Sequence, residues 1–261
     1  MTSPRQIDRN LQRFESKEVV SHYAEQNDLQ PCEAYLFERY LKPGLIILDI
    51  GVGGGRTTPY LAKNAARYVG TDYSKAMVEA CHQRFPGLDF LQCDATDMAE
   101  FEDGSFDAVV FSFNGIDYIP TNERREQCLA EIARVLKRGG IFIFSSHNAR
   151  MIGCRPLFAG ATPYQVMWRS LLSIYKTSVI IPKLLYSGSY IRGEGYIRDP
   201  VHGTLHTYVS TPRAFAPQLN RAGLDLEEAV GGPYLSVRPH ALAKWFYYAC
   251  RKRAAASYTE R

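Results

Sequence analysis

The sequence lacks the cysteine patterns of metalloproteins and of disulfide-linked secreted proteins. Its 261 residues contain six cysteines, and no two of them form a C-x-x-C pair or another spacing typical of a metal site. They are Cys32, Cys81, Cys93, Cys128, Cys154 and Cys250. We therefore predict no metal site, and we expect core or surface thiols in a protein that works in a reducing compartment.

Targeting and membrane-spanning segments are also missing from the sequence. The first ten residues, MTSPRQIDRN, do not combine a basic stretch with an apolar one, as signal peptides do. No apolar run reaches the ~20 residues that a membrane-spanning helix needs. These features predict a cytoplasmic protein. The formal net charge is only +4, which permits an anionic partner without requiring one.

Repeats and low-complexity tracts are absent, and a regular alternation of elements takes their place. Short β-rich apolar runs follow one another: LIILDI, YVGTDY, LDFLQCD, FDAVVFSF and IFIFSS. Helical patterns separate them, including SKAMVEACHQRF and NERREQCLAEIARVLKRG. This alternation predicts a doubly wound α/β fold, with a parallel sheet covered on both faces. Ligands of such sheets bind at the carboxyl ends of the strands.

The pattern divides the chain into four parts. Helical periodicity runs from Ile7 to Leu41, so we expect N-terminal helices over residues 1–42. The ligand-binding core occupies residues 43–148. The alternation lapses over residues 149–203, which we interpret as an inserted cap over the strand ends. It resumes with LHTYVS, PRAFAPQLNRAG and LDLEEAV in residues 204–261, as the closing strand, helix and strand before a basic tail.

The segment IILDIGVGGGRTT joins a predicted buried strand to a glycine-rich loop. A dinucleotide fingerprint, G-x-G-x-x-G/A, does not fit, because the last position is Arg56 in one register and Thr58 in the other. Asp49 stands two residues before Gly51, at the carboxyl end of the strand, where it would repel a pyrophosphate. The carboxylate could instead receive an ammonium group, directly or through water. The segment thus predicts a cationic ligand.

The spacing D-x-G-x-G-x-G, formed by Asp49, Gly51, Gly53 and Gly55, resembles motif I of the class I S-adenosylmethionine-dependent methyltransferases. In that family the loop passes beneath the amino-acid part of the ligand. The resemblance covers residues 36–148 and 205–230. It implies a Rossmann-like fold with a seven-stranded, mostly parallel sheet, and S-adenosylmethionine as cofactor.

Two further acids follow the next two predicted strands. Asp72 comes about 20 residues after the first glycine, where a carboxylate can accept both ribose hydroxyls. The resemblance implies that Asp94 accepts the adenine amine and that the backbone NH of Ala95 meets the ring. Asp72 alone could equally cap a helix, and Asp97 is a near neighbour of Asp94. The resemblance also implies that the helices of residues 1–42 form a lid over the donor, with Tyr23 in contact with it. It implies further donor contacts at Tyr73, Met77 and Phe113.

The methyl acceptor is expected beyond the fourth and fifth strands. Polar side chains follow both strands: Asn114, Asp117 and Tyr118 after the fourth, and Ser146, His147 and Asn148 after the fifth. In spacing, the fourth-strand segment is similar to that of glycine N-methyltransferases. His147 is the predicted general base, since histidine ordinarily titrates near neutral pH. It could also merely bind a loop carbonyl, while Tyr118 could be a pocket wall and Asn114 could hold the donor.

These features predict methyl transfer from S-adenosylmethionine to O or N of a small-molecule acceptor. N-methylation of a small amine or amino acid, and donor binding without catalysis, remain alternatives. Nucleic acid is an unlikely acceptor, because the fourth strand is followed by NGID and not by the [DNS]-P-P-[YF] of base methyltransferases. A polyamine synthase would need more acids than Asp117 at this place.

Two aromatic segments leave several interpretations open. YQVMWRSLLSIYKTSVIIPKLLYSGSYIRG could form an aromatic lid, a basic mouth, an amphipathic membrane surface or a cap helix with its own core. LAKWFYYACRKR could contact an anionic membrane, or form a strand at the sheet edge with a solvated tail. Peripheral membrane contact is therefore an open possibility, and the sequence predicts no oligomeric state.

Overall fold

The computed structural model describes residues 14–25, 27–150, 162–186, 188–198, 206–232 and 243–254. Cys154 and the start of the predicted N-terminal helix, residues 7–13, lie outside these ranges. The five other cysteines are buried free thiols.

The described elements alternate as the sequence pattern predicts. The strands are β1 Ile46–Ile50, β2 Arg67–Asp72, β3 Asp89–Gln92, β4 Phe106–Phe111, β5 Leu136–His147, β6 Glu194–Arg198, β7 His206–Ser210, β8 Leu224–Gly232 and β9 Trp245–Lys252. The α-helices are α1 Lys17–Ala24, α2 Pro31–Tyr40, α3 Thr58–Ala62, α4 Lys75–Arg84, α5 Asn122–Val135, α6 Pro163–Tyr186, α7 Ser189–Arg192 and α8 Pro212–Arg221. A 3₁₀ helix spans Gly115–Tyr118.

Seven strands form one sheet in the order β3-β2-β1-β4-β5-β9-β8. The first five are parallel to one another, whereas β9 is antiparallel to both β5 and β8. The chain order reverses between β1 and β4, so the connections after these strands diverge and leave a crevice at their carboxyl ends. The predicted seven-stranded, mostly parallel, doubly wound sheet is confirmed.

Helices cover both faces of this sheet because each presents an apolar stripe to it. On one face, Leu36 of α2 and Cys81 of α4 pack against the buried residues of β1 and β4. On the other face, Leu129 of α5 and Phe215 of α8 complete a second core. Two hydrophobic cores, one on each face, therefore hold the sheet in place between the helices.

The closing part of the fold differs from the prediction. The segment LHTYVS does form a strand, β7, but it pairs with β6 in a separate two-stranded sheet. The strands that complete the large sheet are β8 and β9. The prediction that β7 belongs to the core sheet was wrong, because its partner β6 lies in the predicted insertion and could not be recognised as a strand.

The aromatic C-terminal segment is a strand of the large sheet. β9 lies between β5 and β8 and is therefore an interior strand, not the edge strand that we expected. Tyr247, Tyr248 and Cys250 are almost fully buried there. These aromatic residues therefore belong to the core of the fold.

The described part of the predicted insertion contains α6, α7 and β6. In the part of the chain that the structure describes, no helix is long and apolar enough to cross a membrane.

Candidate functional site

A cavity lies at the carboxyl ends of β1, β2 and β4, where the strand order reverses. Its wall includes residues from the loop after each of the first four strands and from α1 and α5. Of the predicted donor-binding residues, it contains Tyr23, Gly51, Gly53, Asp72, Tyr73, Met77, Asp94, Ala95 and Phe113. The fold thus brings these predicted residues together in one place.

The loop after β1 turns through left-handed backbone conformations that favour glycine. Gly51, Gly53 and Gly55 have φ angles of +63°, +55° and +80°. A Cβ atom on Gly51 would lie 2.7 Å from the ring of Phe111, and one on Gly55 would lie 2.4 Å from Phe85. Gly51 and Gly53 line the cavity, whereas Gly55 does not and instead allows close packing against α4.

Asp49 stands behind the cavity wall. It is 1% exposed, and its Oδ2 accepts hydrogen bonds from Thr57 Oγ1 at 2.7 Å and from the Tyr68 hydroxyl at 2.9 Å. Burial raises the pKa of the carboxyl to about 6, and the two hydrogen bonds oppose this shift. Since Thr57 lines the cavity and Asp49 does not, any effect of this acid on an ammonium group acts across Thr57. Direct contact between Asp49 and a ligand stays a prediction.

Asp72 lies on the cavity wall at the end of β2. Its Oδ2 accepts a hydrogen bond from the Gly53 NH, and its Oδ1 accepts one from the Ser74 NH, both at 2.9 Å. The Ser74 hydroxyl in turn accepts from the Met77 NH and caps α4. The carboxylate is therefore held rigidly between the glycine loop and the start of α4. Burial raises its pKa above the ordinary value.

Asp94 lies on the same wall, in an ion pair that the sequence did not reveal. Its Oδ2 accepts a hydrogen bond from Arg124 Nη2 at 2.6 Å. Its Oδ1 accepts from both the NH and the hydroxyl of Thr96, at 2.9 and 2.8 Å. Arg124 belongs to α5 and also lines the cavity. In the sequence it is one arginine of an ordinary charged helix, NERREQC, so no local signal distinguished it.

Arg56 is a second cavity residue that sequence reasoning did not select. Its Nη1 and Nη2 donate to the two carboxylate oxygens of Glu33, at 2.6 and 2.7 Å, and Glu33 is fully buried. The guanidinium also lies 4.8 Å from the centroid of the Phe113 ring. This bidentate pair ties α2 to the glycine loop. In the sequence, Arg56 was noticed only because it stands where a dinucleotide fingerprint needs glycine or alanine.

The chain leaves β4 through two residues with positive φ angles, Phe113 at 55° and Asn114 at 64°. Phe113 lines the cavity, whereas Asn114 is 5% exposed and does not. The Asn114 NH donates to Ser145 Oγ at 2.8 Å, which fixes the turn against β5. This turn starts the 3₁₀ helix that carries Asp117 and Tyr118.

His147, at the end of β5, forms a dyad with the buried Asp117. The Asp117 Oδ2 accepts from both the backbone NH and Nδ1 of His147 at 2.7 Å, and its Oδ1 accepts from the Ser146 hydroxyl at 2.7 Å. Because Asp117 accepts a hydrogen bond from Nδ1–H, Nε2 is the acceptor of the neutral ring. The Asn114 amide nitrogen lies 3.4 Å from that Nε2. Burial raises the pKa of Asp117, and the contacts with His147 oppose the shift.

Tyr118 separates this dyad from the cavity. Its ring meets the His147 ring edge to face, with centroids 6.3 Å apart, and the Phe14 ring at 5.6 Å. Of the three predicted catalytic residues, Tyr118 lines the cavity, and His147 and Asn114 lie behind it. Phe14 and the predicted Tyr23 also line the cavity, so the N-terminal region contributes directly to its wall.

The residues of this site fit S-adenosylmethionine. Gly53, which has no contact closer than 3.8 Å at its Cβ position, leaves open backbone beside Asp72. Carboxylates follow β2 and β3 on the same wall, and apolar side chains such as Met77 and Phe111 lie between them. Such a wall offers hydrogen-bond acceptors to hydroxyl and amino groups and apolar surface to a ring.

Comparisons with known proteins agree with this geometry. Residues 48–144 match the family described as "Methyltransferase domain". Demethylmenaquinone methyltransferase of Clavibacter sepedonicus is 38% identical over 97 residues, which cover 36% of this chain and 38% of that protein. The tRNA (carboxymethyluridine(34)-5-O)-methyltransferase ALKBH8 of Mus musculus is 35% identical over 124 residues, which cover 47% of this chain and 18% of that protein. The matched segments therefore span well under half of either relative.

A solved structure shares the fold over nearly the whole chain. The 1,6-didemethyltoxoflavin-N1-methyltransferase of Burkholderia thailandensis, with bound 1,6-didemethyltoxoflavin and S-adenosylhomocysteine, superposes with a TM-score of 0.62 at 16% identity, covering 97% of this chain and 92% of that one. Over the glycine loop and the first five strands, the chain is therefore similar to the methyltransferases that use S-adenosylmethionine as cofactor, and its fold is that of a solved methyltransferase.

Proposed function

We propose that this protein transfers the methyl group of S-adenosylmethionine to an oxygen or nitrogen atom of a small molecule. The observation that supports it best is the single cavity in which the glycine loop, Asp72 and Asp94 meet at the point where the strand order reverses. When bound, the cofactor supplies a methyl group on a positively charged sulfur, which is already activated for displacement. The protein then has to position donor and acceptor and exclude water.

The donor would be held by the residues of the cavity wall. Asp72, fixed by two backbone NH groups, accepts hydrogen bonds from the ribose hydroxyls. Asp94 and the NH of Ala95 serve the adenine, with Arg124 orienting the Asp94 carboxylate. The glycine loop lies against the amino-acid part, and Asp49 contributes negative charge from behind Thr57.

The acceptor would lie on the side of the cavity formed by Tyr118 and Phe14. His147 is the base in this proposal, since Nε2 is the basic ring nitrogen when Nδ1–H donates to Asp117. The Asn114 amide, 3.4 Å from Nε2, has to give way to the acceptor. Asp117 positions the ring and stabilises the imidazolium that forms. An acceptor hydroxyl needs this step, whereas a neutral amine already carries a lone pair. Tyr118 lies between the dyad and the cavity and determines how an acceptor reaches it.

A small molecule is the acceptor that this geometry supports. Aromatic side chains from the N-terminal region and from the turn after β4 narrow the cavity, which suits a compact substrate. The named relatives act on different acceptors, one of them a tRNA.

The buried free thiols support the predicted cytoplasmic location.

Two measurements test the proposal in sequence. Calorimetric titration should show micromolar binding of S-adenosylmethionine and none of NADH. Transfer of radiolabelled methyl should then be measured with three acceptor pools: small phenols, carboxylic acids and amines; isoprenoid quinols; and bulk tRNA. Transfer to the first pool supports the proposal. Transfer to tRNA alone would show that the acceptor is a nucleic acid and not a small molecule. Donor binding without transfer to any pool would favour a non-catalytic binding protein.

A further inference from the structure

Helix α6 exposes an apolar stripe over its first half and again at its end. The helix has 24 residues and is therefore about 36 Å long. Its large exposed side chains include Trp168, Leu171, Ile174 and Tyr175, which are 54%, 53%, 66% and 67% exposed. Tyr164, Met167, Leu185 and Tyr186 are exposed as well. Large apolar side chains concentrated in this way mark an interaction surface.

These residues share one side of the helix. At about 100° per residue, the six positions from Tyr164 to Tyr175 fall within an arc of about 120°. Leu185 and Tyr186 follow Pro182, which lies inside the helix. Among the described elements, α6 packs most closely against the short helix α7, where Ile191 is 77% exposed.

The charge of the helix restricts what can cover this surface. α6 contains Arg169, Lys176 and Lys183 and no aspartate or glutamate. An apolar stripe with tyrosine and tryptophan, on a helix whose charged residues are all cationic, complements a surface that combines hydrocarbon with negative charge.

We infer that α6 docks the protein on an anionic lipid membrane, lying in the plane of the interface. The apolar stripe enters the boundary between headgroups and acyl chains, and the positive charge of the helix favours anionic headgroups. Trp168 and the tyrosines suit this boundary because each combines an apolar ring with a polar atom. A nucleic acid would match the cations but leave the aliphatic residues Leu171 and Ile174 exposed to water. This inference does not depend on methyl transfer.

Sedimentation with lipid vesicles tests the inference on the whole protein. The probes are vesicles of phosphatidylcholine and vesicles of phosphatidylcholine with 30 mol% phosphatidylglycerol. The protein should bind the anionic vesicles, and Leu171→Glu should weaken this binding at least ten-fold. Replacing Arg169, Lys176 and Lys183 by glutamine should weaken it by about 100-fold and remove the preference for phosphatidylglycerol. Brominated lipid should quench Trp168 fluorescence in the native protein and leave the signal of a Trp168→Phe variant unchanged.

The matched control is Leu91→Glu, which makes the same change at a leucine of β3 that is 43% exposed. This variant should bind vesicles as the native protein does. Equal binding by Leu171→Glu and the native protein, or no binding of anionic vesicles at all, would overturn the inference. So would a native dimer that Leu171→Glu converts to monomer without any vesicle binding, or binding of RNA in preference to vesicles. Far-UV circular dichroism verifies that each variant is folded.

Discussion

Each acid or base of the site is held by a specific partner. Asp49 accepts a hydrogen bond from Thr57, His147 is held by Asp117, and Asp94 is paired with Arg124. The sequence identified the first member of each pair, since each acid or base stands at the carboxyl end of a strand that the apolar pattern predicts. It could not identify the pairing, because the partners come from segments 8 to 30 residues away whose approach depends on the sheet.

The buried Asp49 predicts a specific pH dependence of donor binding. Its pKa of about 6 in the native protein lies above the ordinary value of 3.8. The free energy of unfolding that it contributes therefore falls as pH rises from about 4 to about 6, where the native carboxyl must lose its proton. An ammonium ligand favours the charged form, so binding should change in the opposite direction.

Affinity for S-adenosylhomocysteine should thus rise about ten-fold between pH 5 and pH 7 in the native protein. Asp49→Asn should show a flatter curve, since the amide does not titrate. Calorimetric titration of both proteins at several pH values measures the difference. Parallel curves would mean that the Asp49 charge does not reach the ligand.

The His147–Asp117 dyad predicts a loss of turnover with little loss of donor binding. His147→Ala should lower kcat by ~10²-fold or more if the acceptor is a hydroxyl. Asp117→Asn should also lower kcat, because the carboxamide cannot stabilise an imidazolium, and it should alter the pH profile of kcat. Steady-state kinetics on the acceptor found by the screen provide the measurement.

Ser178→Ala, an exposed hydroxyl on α6, serves as control and should leave kcat unchanged. Full activity of His147→Ala would show that the acceptor loses its proton elsewhere. A change in donor affinity alone would make the dyad a structural support for the turn after β4.

At the scale of elements, the N-terminal helices are tied to the glycine loop by a buried ion pair. Glu33 and Arg56 form two hydrogen bonds across that boundary, and the Gln30 NH donates to Glu33 Oε2 at 2.8 Å as part of a capping box on α2. The wall residues Phe14 and Tyr23 precede this helix in the chain. The position of α2 is therefore coupled to the shape of the loop beneath the donor.

Glu33→Gln should destabilise the protein by about 3–5 kcal/mol, because it leaves the guanidinium buried without a counter-charge. Urea denaturation measures the free energy of unfolding. The control is Glu126→Gln, which removes an ion pair with Arg221 whose side chains are 51% and 60% exposed and should cost at most about 1 kcal/mol. Equal costs for the two variants would contradict a special role for the buried pair.

The elements also show where sequence reasoning succeeded and where it failed. The first five strands were predicted correctly because each is a short apolar run bounded by turn residues and separated by a recognisable helix. The sheet to which β7 belongs was predicted wrongly, because the pattern of LHTYVS suits a strand of either sheet. The hydrogen bonds that β7 forms with β6 decide between them, and a periodicity cannot reveal a partner.

At the scale of the whole molecule, the cavity joins parts that are distant in the chain. Its wall combines Phe14 and Tyr23 with the ends of the first four strands and with Arg124 of α5. The sequence predicted this convergence for the strand ends, because the carboxyl ends of parallel strands meet at one edge. It predicted the contribution of the N-terminal helices only from a family resemblance, since nothing in their periodicity specifies what they cover.

A ligand in such a cavity should stabilise the folded protein as a unit. Unfolding disperses all of these wall residues, so S-adenosylhomocysteine binds the native state alone. At 100 times its Kd, it should raise the free energy of unfolding by about 2.7 kcal/mol. For a chain of this size that corresponds to an increase in Tm of roughly 5–10 °C. Differential scanning calorimetry at several ligand concentrations measures the shift.

Asp72→Ala provides the matched test, because it should weaken binding by roughly 1.5–3 kcal/mol without removing the fold. At the same ligand concentration, the ligand should raise the free energy of unfolding of this variant by less than half as much as that of the native protein. Hydrogen exchange should also show slower exchange of the α1 amides in the native complex, since Tyr23 of that helix lines the cavity. Stabilisation with unchanged exchange in α1 would mean that the ligand is held by the core alone, and that the N-terminal helices do not close over it.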